Sequence, residues 1–390
     1  MITREDIHAL AEFEGGDADC AISFYFQPSR PSNKSHREQA ILAKDLVHQA
    51  LRQAEKDGRN GCARADLQRI LEAAQEWEGH RSQAKAVFAC GSRNIWREFD
   101  LPPQLVKTQV FVNRRFRLKE LAEVLGAQPR LRVVLLDRHR ARFFDLHLDQ
   151  IKEREALFRP LPRRGRGDGF DGVDAGHAER SVNDEVLHHF KNVADSLKQG
   201  LERSAFDGFA VGCQDSHWHD FEAYVHPYIK KNLVGHFGSE VSGVTDEQVR
   251  EHCDRLLKEA QAQHRHEQVV EVLSQAKSNR RGVTGLRRVL RSLEMGEVQV
   301  LLMADNYTAH AVECAHCSHL DAHMVRFCAV CGSGTRELED VCDAMVRAAL
   351  RRDVELVYVN GDPEFDHVGG IAALLRFRAD GKNKSVAVAS

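Results

Sequence analysis

Ten cysteines occur in this 390-residue chain, and four of them fall into two pairs, Cys314-Ala-His-Cys317 and Cys328-Ala-Val-Cys331. Two thiolates at i and i+3 fit one side of a tetrahedral ion, and a second such pair closes the shell. Gly332, directly after the second pair, permits the tight knuckle turn. Four soft ligands leave no open position, so the expected ion is a structural Zn2+. Its job would be to fold a segment too short to bury a core of its own. The alternative is four buried free thiols. His316, His319 and His323 lie between the pairs and could replace one thiolate, although the symmetric set is simpler. Cys20, Cys62, Cys90, Cys213, Cys253 and Cys342 stand singly and read as core thiols. That is the pattern of a cytosolic protein with one metal site, not of a disulfide scaffold.

Two basic features could meet phosphate. Arg159, Arg163, Arg164 and Arg166 fall within eight residues, in a loop that also carries Gly165, Gly167, Asp168, Gly169, Gly172 and Gly176. So many glycines resist a rigid conformation. The loop reads either as a mobile segment that orders on a phosphate-rich surface or as a solvated surface loop. It is not a Walker-type P-loop, because Gly-Lys-Ser/Thr is absent, and its glycine spacing is wrong for a dinucleotide fingerprint. The second feature is Lys277, Arg280, Arg281, Arg287, Arg288 and Arg291, in a fifteen-residue span with no acid. Placed on a helix with an apolar face of Val283, Leu286, Val289, Leu290 and Leu293, it would form a basic face for RNA or an acidic partner, or an ordinary solvated face.

Acid–base and metal catalysis find weaker candidates. His217-Trp-His219-Asp220 would put both imidazoles on one face of a strand. Asp137 and Asp145 could be an acidic pair of a metal nuclease, or turn residues at strand ends. Neither GxSxG nor HExxH is present.

These residues must be held by elements that the apolar spacing predicts. Strands are expected at Ala21–Phe26, Lys85–Cys90, Leu131–Asp137, Ala141–Leu146, Gly208–Cys213, Val298–Ala304, Val354–Val359 and Ile371–Phe377. Helices are expected over 42–54, 66–78, 118–125, 182–201, 246–266 and 338–350. Alternation of the two argues for α/β layers. The division expected is an N-terminal α/β domain (1–127), a middle domain (128–265) carrying the loop 159–176, a third domain (266–380) with a zinc insertion at 312–334, and a tail (381–390). Lys plus Arg is 55 and Asp plus Glu is 58, a net charge of −3, so a chain basic throughout is excluded and nucleic-acid contact must come from local patches. The longest uncharged apolar runs, such as Val133–Leu136 and Val300–Ala304, are too short to cross a bilayer. The start shows no basic or apolar region of a signal peptide, and a cytoplasmic location is expected.

The order of these pieces resembles a known superfamily. Leu131–Leu146, LRVVLLDRHRARFFDL, resembles the opening strands of the middle domain of archaeal and eukaryotic class-one peptide-release factors and of Pelota. Gly296–Asp305 and Val354–Phe377 look like strands of those proteins' third domain, and Cys314–Cys331 falls where archaeal members carry a zinc-binding insertion. The N-terminal pattern (Ile22-Ser-Phe-Tyr-Phe, a polar loop, a long helix, then Ala86–Cys90 and Arg115–Leu125) is similar to a bacterial branch that includes Balon-like ribosome hibernation factors. Ser32-Asn-Lys-Ser35 echoes the codon-reading Asn-Ile-Lys-Ser motif but lacks the Ile.

The resemblance implies a three-domain α/β release-factor/Pelota-like architecture with a small zinc-ribbon insertion in the third domain. True release factors position the hydrolytic water with a Gly-Gly-Gln loop. Here Gly165-Arg-Gly-Asp-Gly169 is the nearest counterpart, with Asp168 at the second glycine and Gly169 at the glutamine, and no glutamine occurs from Ile151 to Lys198. Pelota also lacks the motif. The resemblance therefore implies a protein that meets rRNA in the ribosomal A site, in hibernation or rescue, without peptide release. Its third domain would bind a translational GTPase or neighbouring RNA. The alternatives are a peptidyl-tRNA hydrolase acting without the Gln, a metal-dependent RNA nuclease using Asp137, Asp145, His217 and His219, and a zinc-stabilised interaction module.

Overall fold

The computed structural model describes residues 4–16, 19–27, 36–56, 60–77, 84–101, 107–127, 129–147, 150–154, 157–158 and 173–378. The chain is mixed α/β and divides into two compact units, Met1–Ala127 with Arg265–Ser390, and Gln128–His264.

The N-terminal stretch holds α1 (Arg4–Glu12), β1 (Ala21–Phe26), α2 (His36–Lys56), α3 (Asn60–Glu76), β2 (Ala84–Cys90), β3 (Ile95–Leu101), β4 (Gln109–Asn113) and α4 (Lys119–Ala127). Its sheet is antiparallel, in the order β3-β2-β1-β4. All six residues of β1 are buried, which explains why all but Ser23 are apolar or aromatic. Ile22, Phe24 and Phe26 pack against Val47, Leu67 and Ile70 of α2 and α3. The alternate positions face the other way. There the Tyr25 hydroxyl donates to the Arg117 carbonyl at 2.8 Å and Ser23 Oγ accepts from the Arg117 N–H at 2.9 Å. Cys20 and Cys62 are joined by a disulfide, with Cα atoms 5.7 Å apart. This corrects their reading as free core thiols. The packing of α3 on the β1 sheet brings together two residues 42 apart in sequence.

The second unit contains β5 (Leu131–Leu136), β6 (Arg140–His147), β7 (Gln150–Glu153), β8 (Leu157–Phe158), α5 (Val173–Glu202), β9 (Gly208–Gly212), α6 (Asp215–Glu222), α7 (Pro227–Lys230) and β10 (Leu233–Phe237). The sheet order is β10-β9-β5-β6-β7, with β8 on β6. β10, β9 and β5 run parallel, and β6 turns back on β5. Val186, Phe190, Val193 and Leu197 of α5 cover one face. Val249 and Cys253, from the start of α8 (Asp246–Lys277), cover the other. With both faces covered, β5 is apolar at every position but Arg132 rather than alternating.

The C-terminal stretch supplies the end of α8, then β11 (Gly282–Thr284), α9 (Leu286–Glu294), β12 (Val298–Ala304), β13 (Ala311–Cys314), β14 (Leu320–Asp321), β15 (Thr335–Leu338), α10 (Cys342–Leu350), β16 (Glu355–Val359), α11 (Pro363–His367) and β17 (Ile371–Leu375). A mixed sheet, β11-β17-β12-β16, carries Val269, Val272, Leu273 and Phe365 on one face. Gly282 is required there, because a Cβ would sit 2.3 Å from the Val272 carbonyl oxygen and the Ala276 nitrogen of α8. Val283, expected in the helix of Leu286, pairs with Ala373 in β11 instead, because Gly285 turns at φ 81° before α9 begins. Leu338 likewise belongs to β15, opposite Ala311, and α10 starts only at Cys342. Within this same unit α4 packs on β16 and α10, and α1 packs on α10.

Candidate metal centre and basic surface

The four paired cysteines converge at the edge of the small sheet β14-β13-β15. Their sulfurs all lie within 4.8 Å of one another. Cys314 Sγ is 3.4 Å from Cys331 Sγ, and Cys317 Sγ is 3.7 Å from Cys328 Sγ. A tetrahedral ion with Zn–S bonds of about 2.3 Å needs sulfurs about 3.8 Å apart, so the donor set fits Zn2+. The knuckle turns are formed by backbone donors. The N–H groups of His316 and Cys317 donate to Cys314 Sγ, and that of Val330 donates to Cys328 Sγ, each at 3.4 Å. Gly332 adopts φ 73° and donates to the Cys328 carbonyl at 2.9 Å, which is the conformation its lack of a side chain allows. The interleaved histidines are used elsewhere or lie outside the cluster. His319 Nδ1 is 2.6 Å from Glu294 and His323 Nδ1 is 2.9 Å from Asp321. Among the described residues the cluster consists of the four cysteines. Such a set can hold an ion but leaves no position for a substrate.

Glu313, one residue before the first cysteine, carries no motif that would single it out in the sequence. Its side chain is 3% exposed and lies between the guanidiniums of Arg115 and Arg336. Burial pushes its carboxyl up, and the two arginines outweigh that and hold it below the usual range. Arg115 also donates to Ser318 Oγ at 2.9 Å and to Glu14 at 3.0 Å. The cysteine knuckle is therefore tied to the stretch that follows β4. Two more bonds join the same regions: the Leu118 N–H donates to Asp343 at 3.2 Å and Lys119 Nζ to the Asp305 carbonyl at 3.2 Å. No sequence signal marks these pairs, because their partners lie far apart along the chain.

The expected basic helix is spread over several elements. Lys277 ends α8 and lies 3.5 Å from Glu364. Arg280 and Arg281 are exposed on the connection to β11. Arg287 and Arg291 are exposed on α9, one turn apart on the same side. Arg288 is different. It is half-buried and 4.0 Å from the buried Glu297, so it does not belong to a free cationic face.

His217 and His219 lie on α6, not on a strand. A separation of two on a helix turns the side chains about 200° apart, so the two imidazoles do not share a face. Asp137 is a turn residue whose carboxylate accepts from the N–H groups of His139 and Arg140 at 2.8 and 2.7 Å. Asp145 sits near the far end of the hairpin between Arg132 and Arg154. At about 3.4 Å per residue along β6, the two carboxylates cannot share one metal. The arginine–glycine loop residues Arg159, Arg163, Arg164, Gly165, Arg166, Gly167, Asp168 and Gly169 lie outside the described residues, as do Ser32–Ser35. Among the described residues, no helix is long and apolar enough to cross a membrane.

Residues 117–257 match the model of the family described as bacterial archaeo-eukaryotic release factor family 10. The chain is similar to the peptide chain release factor subunit 1 of Pyrococcus abyssi (strain GE5 / Orsay), 23% identical in an alignment 308 positions long that covers 71% of this chain and 74% of that protein. Among solved structures it is similar to the archaeal translation termination factor aRF1, with 15% identity, 96% of this chain and 99% of that one covered, and a TM-score of 0.26. It is also similar to a chain from a model of ribosome-bound archaeal Pelota and ABCE1, with 15% identity, coverage of 96% and 94%, and a TM-score of 0.42.

Proposed function

We propose that this chain, a member of the release-factor and Pelota superfamily, is a translation factor that enters the ribosomal A site and blocks it without cutting the peptidyl-tRNA ester. The observation that carries the second half of this reading is the loop sequence. Gly165-Arg-Gly-Asp-Gly169 stands where a hydrolytic member has its glutamine, and no glutamine occurs from Ile151 to Lys198. Without it, no side-chain amide is available there to orient the attacking water. Asp168 adds a negative charge that RNA phosphates disfavour, and Arg163, Arg164 and Arg166 supply the neutralising charge that gives salt-sensitive affinity. The family match over residues 117–257 includes this loop.

The role is hibernation or rescue by blockade. The third domain, with Zn2+ in the four-cysteine knuckle, would serve as the platform for a translational GTPase or for neighbouring RNA. Arg287 and Arg291, exposed together on α9, are the described cations best placed for either. The metal would supply folding energy to the knuckle and take no part in chemistry. A nuclease is disfavoured by the separation of Asp137 from Asp145 and by the helical setting of His217 and His219.

The test is co-sedimentation with purified bacterial ribosomes, empty and loaded with peptidyl-tRNA, at low and moderate salt. Binding to the 70S particle that weakens steeply with salt supports the reading. No binding in any condition overturns it and leaves shared fold without shared function.

A further inference from the structure

Two stretches of the C-terminal region meet without a carboxylate between them. Residues 272–293, which hold the end of α8, β11 and most of α9, and residues 367–378, which hold β17, contain eight lysines and arginines and no acid. β11 pairs antiparallel with β17, Gly282 opposite Leu374, and α9 packs on both strands.

The pairing continues past the ladder. The Leu375 N–H donates to the Arg281 carbonyl at 2.7 Å. Arg378 Nη1 donates to the carbonyls of Asn279 and Arg280 at 2.6 and 2.8 Å. These bonds hold Phe377 beside Arg280 and Arg281, and the Phe377 ring is left 54% exposed. On its other side Arg376 Nη2 donates to the carbonyls of Arg352 and Asp353 at 3.1 and 3.0 Å. Carbonyl oxygens are neutral, so both flanking guanidiniums keep their charge uncancelled. The ion pairs of this region fall elsewhere: Lys277 meets Glu364 and Arg288 meets the buried Glu297. Arg280, Arg281, Arg287 and Arg291 are exposed, and among the described residues they form no ion pair.

An exposed ring with a cationic rim has a specific complement. The face of an unpaired base stacks on an aromatic side chain whatever the base, and the phosphates on either side of it meet the cations. In a duplex those base faces are already covered, so the ring selects a single strand. An acidic peptide would satisfy the arginines but offers the ring no partner.

We propose that Phe377, with Arg280 and Arg281, binds single-stranded RNA, stacking one unpaired base on the ring while the guanidiniums take the neighbouring phosphates. Arg287 and Arg291 of α9 extend the cationic track. The proposal rests on the ribosome-binding reading only for the source of the strand, and free RNA tests the contact without a ribosome.

The experiment is fluorescence anisotropy of a labelled RNA strand of about 12 nucleotides, and of its duplex. Each is titrated with the metal-loaded full chain in which Arg163, Arg164 and Arg166 are changed to Gln, so that the glycine loop cannot supply the binding. The single strand should bind saturably and more tightly than the duplex. Phe377→Ala should weaken the single strand at least about fivefold and leave the salt slope and the duplex affinity unchanged. Phe377→Tyr, which keeps the ring, should stay within about twofold of the parent. Arg280→Gln together with Arg281→Gln should instead lower the slope of log affinity against log salt by about 1.4. Absence of saturable binding by the single strand at about 0.1 mM protein overturns the proposal, as does unchanged affinity in Phe377→Ala. An oligoglutamate peptide that binds as tightly as the RNA, in the parent and in Phe377→Ala alike, overturns it in favour of an acidic protein partner. The ribosome co-sedimentation succeeds or fails independently of these titrations.

Discussion

Arg115 Nη1 donates to Oε1 of Glu313 across 198 residues of sequence. One partner follows β4 and the other directly precedes Cys314, the first cysteine of the cluster. This bond makes the knuckle more than an appendage of the C-terminal stretch, because the same guanidinium reaches Ser318, one residue after Cys317.

Replacing Glu313 with Gln should therefore be among the most destabilising single changes in the chain. It removes the one anion held between two guanidiniums in a site only 3% exposed, and breaking such a buried pair costs about 3–5 kcal/mol. Arg336→Gln should cost no more than about 1 kcal/mol, since that side chain is 38% exposed and the pair is partly screened. Urea unfolding of the two variants checks the order, and equal losses would show that Glu313 does not depend on Arg115.

A second carboxylate gives a pH signature. Asp19 accepts from Ser92 Oγ at 2.6 Å, the Gly16 N–H at 2.9 Å and Arg93 Nε at 2.9 Å. Led by the Ser92 bond, these hold its carboxyl down from 3.8 to about 2. A carboxyl lowered in the folded state stabilises fully above its ordinary value and loses that contribution as pH falls towards the folded value. Wild type should lose stability faster than Asp19→Asn as pH falls from 3.8 towards 2. Parallel curves of urea midpoint against pH for the two proteins would contradict this.

The metal prediction concerns one small sheet. Purified protein should contain one zinc per chain by elemental analysis, and Cys328→Ser should lose it. A chelator should raise hydrogen exchange in β13, β14 and β15 while β12 and β17 stay protected, because the latter have their own apolar core. Unchanged exchange in the knuckle after complete metal removal would mean that the four sulfurs are structural without an ion.

The loop prediction concerns affinity. Changing Arg163, Arg164 and Arg166 together to Gln should weaken ribosome binding and reduce the slope of log affinity against log salt by about 2, at roughly 0.7 for each phosphate no longer neutralised. A slope equal to that of wild type would remove the loop from the interface.

Much of the frame is legible from apolar runs. β1 and β12 coincide with the strands read from Ala21–Phe26 and Val298–Ala304, because β1 is buried along its whole length and β12 at every position but Gln299. The knuckle is legible because thiol pairs at i and i+3 have few other uses. His217 and His219, weighed as a pair that a strand would put on one face, lie on a helix, since a short polar stretch carries no period that separates the two. Val283 has helical spacing from Leu286, although Gly285 ends that pattern. The contacts of Arg115 with Glu313 and of Cys20 with Cys62 are set by tertiary packing, for which a single sequence holds no local signal.

The most direct test of the central claim is release of labelled peptide from A-site-empty ribosomes loaded with peptidyl-tRNA, with occupancy measured by co-sedimentation in the same reaction. The account predicts bound protein and a peptide that stays attached to its tRNA at saturating occupancy. Release that follows occupancy would contradict it, and would show that the Gly165–Gly169 loop supports hydrolysis without a glutamine.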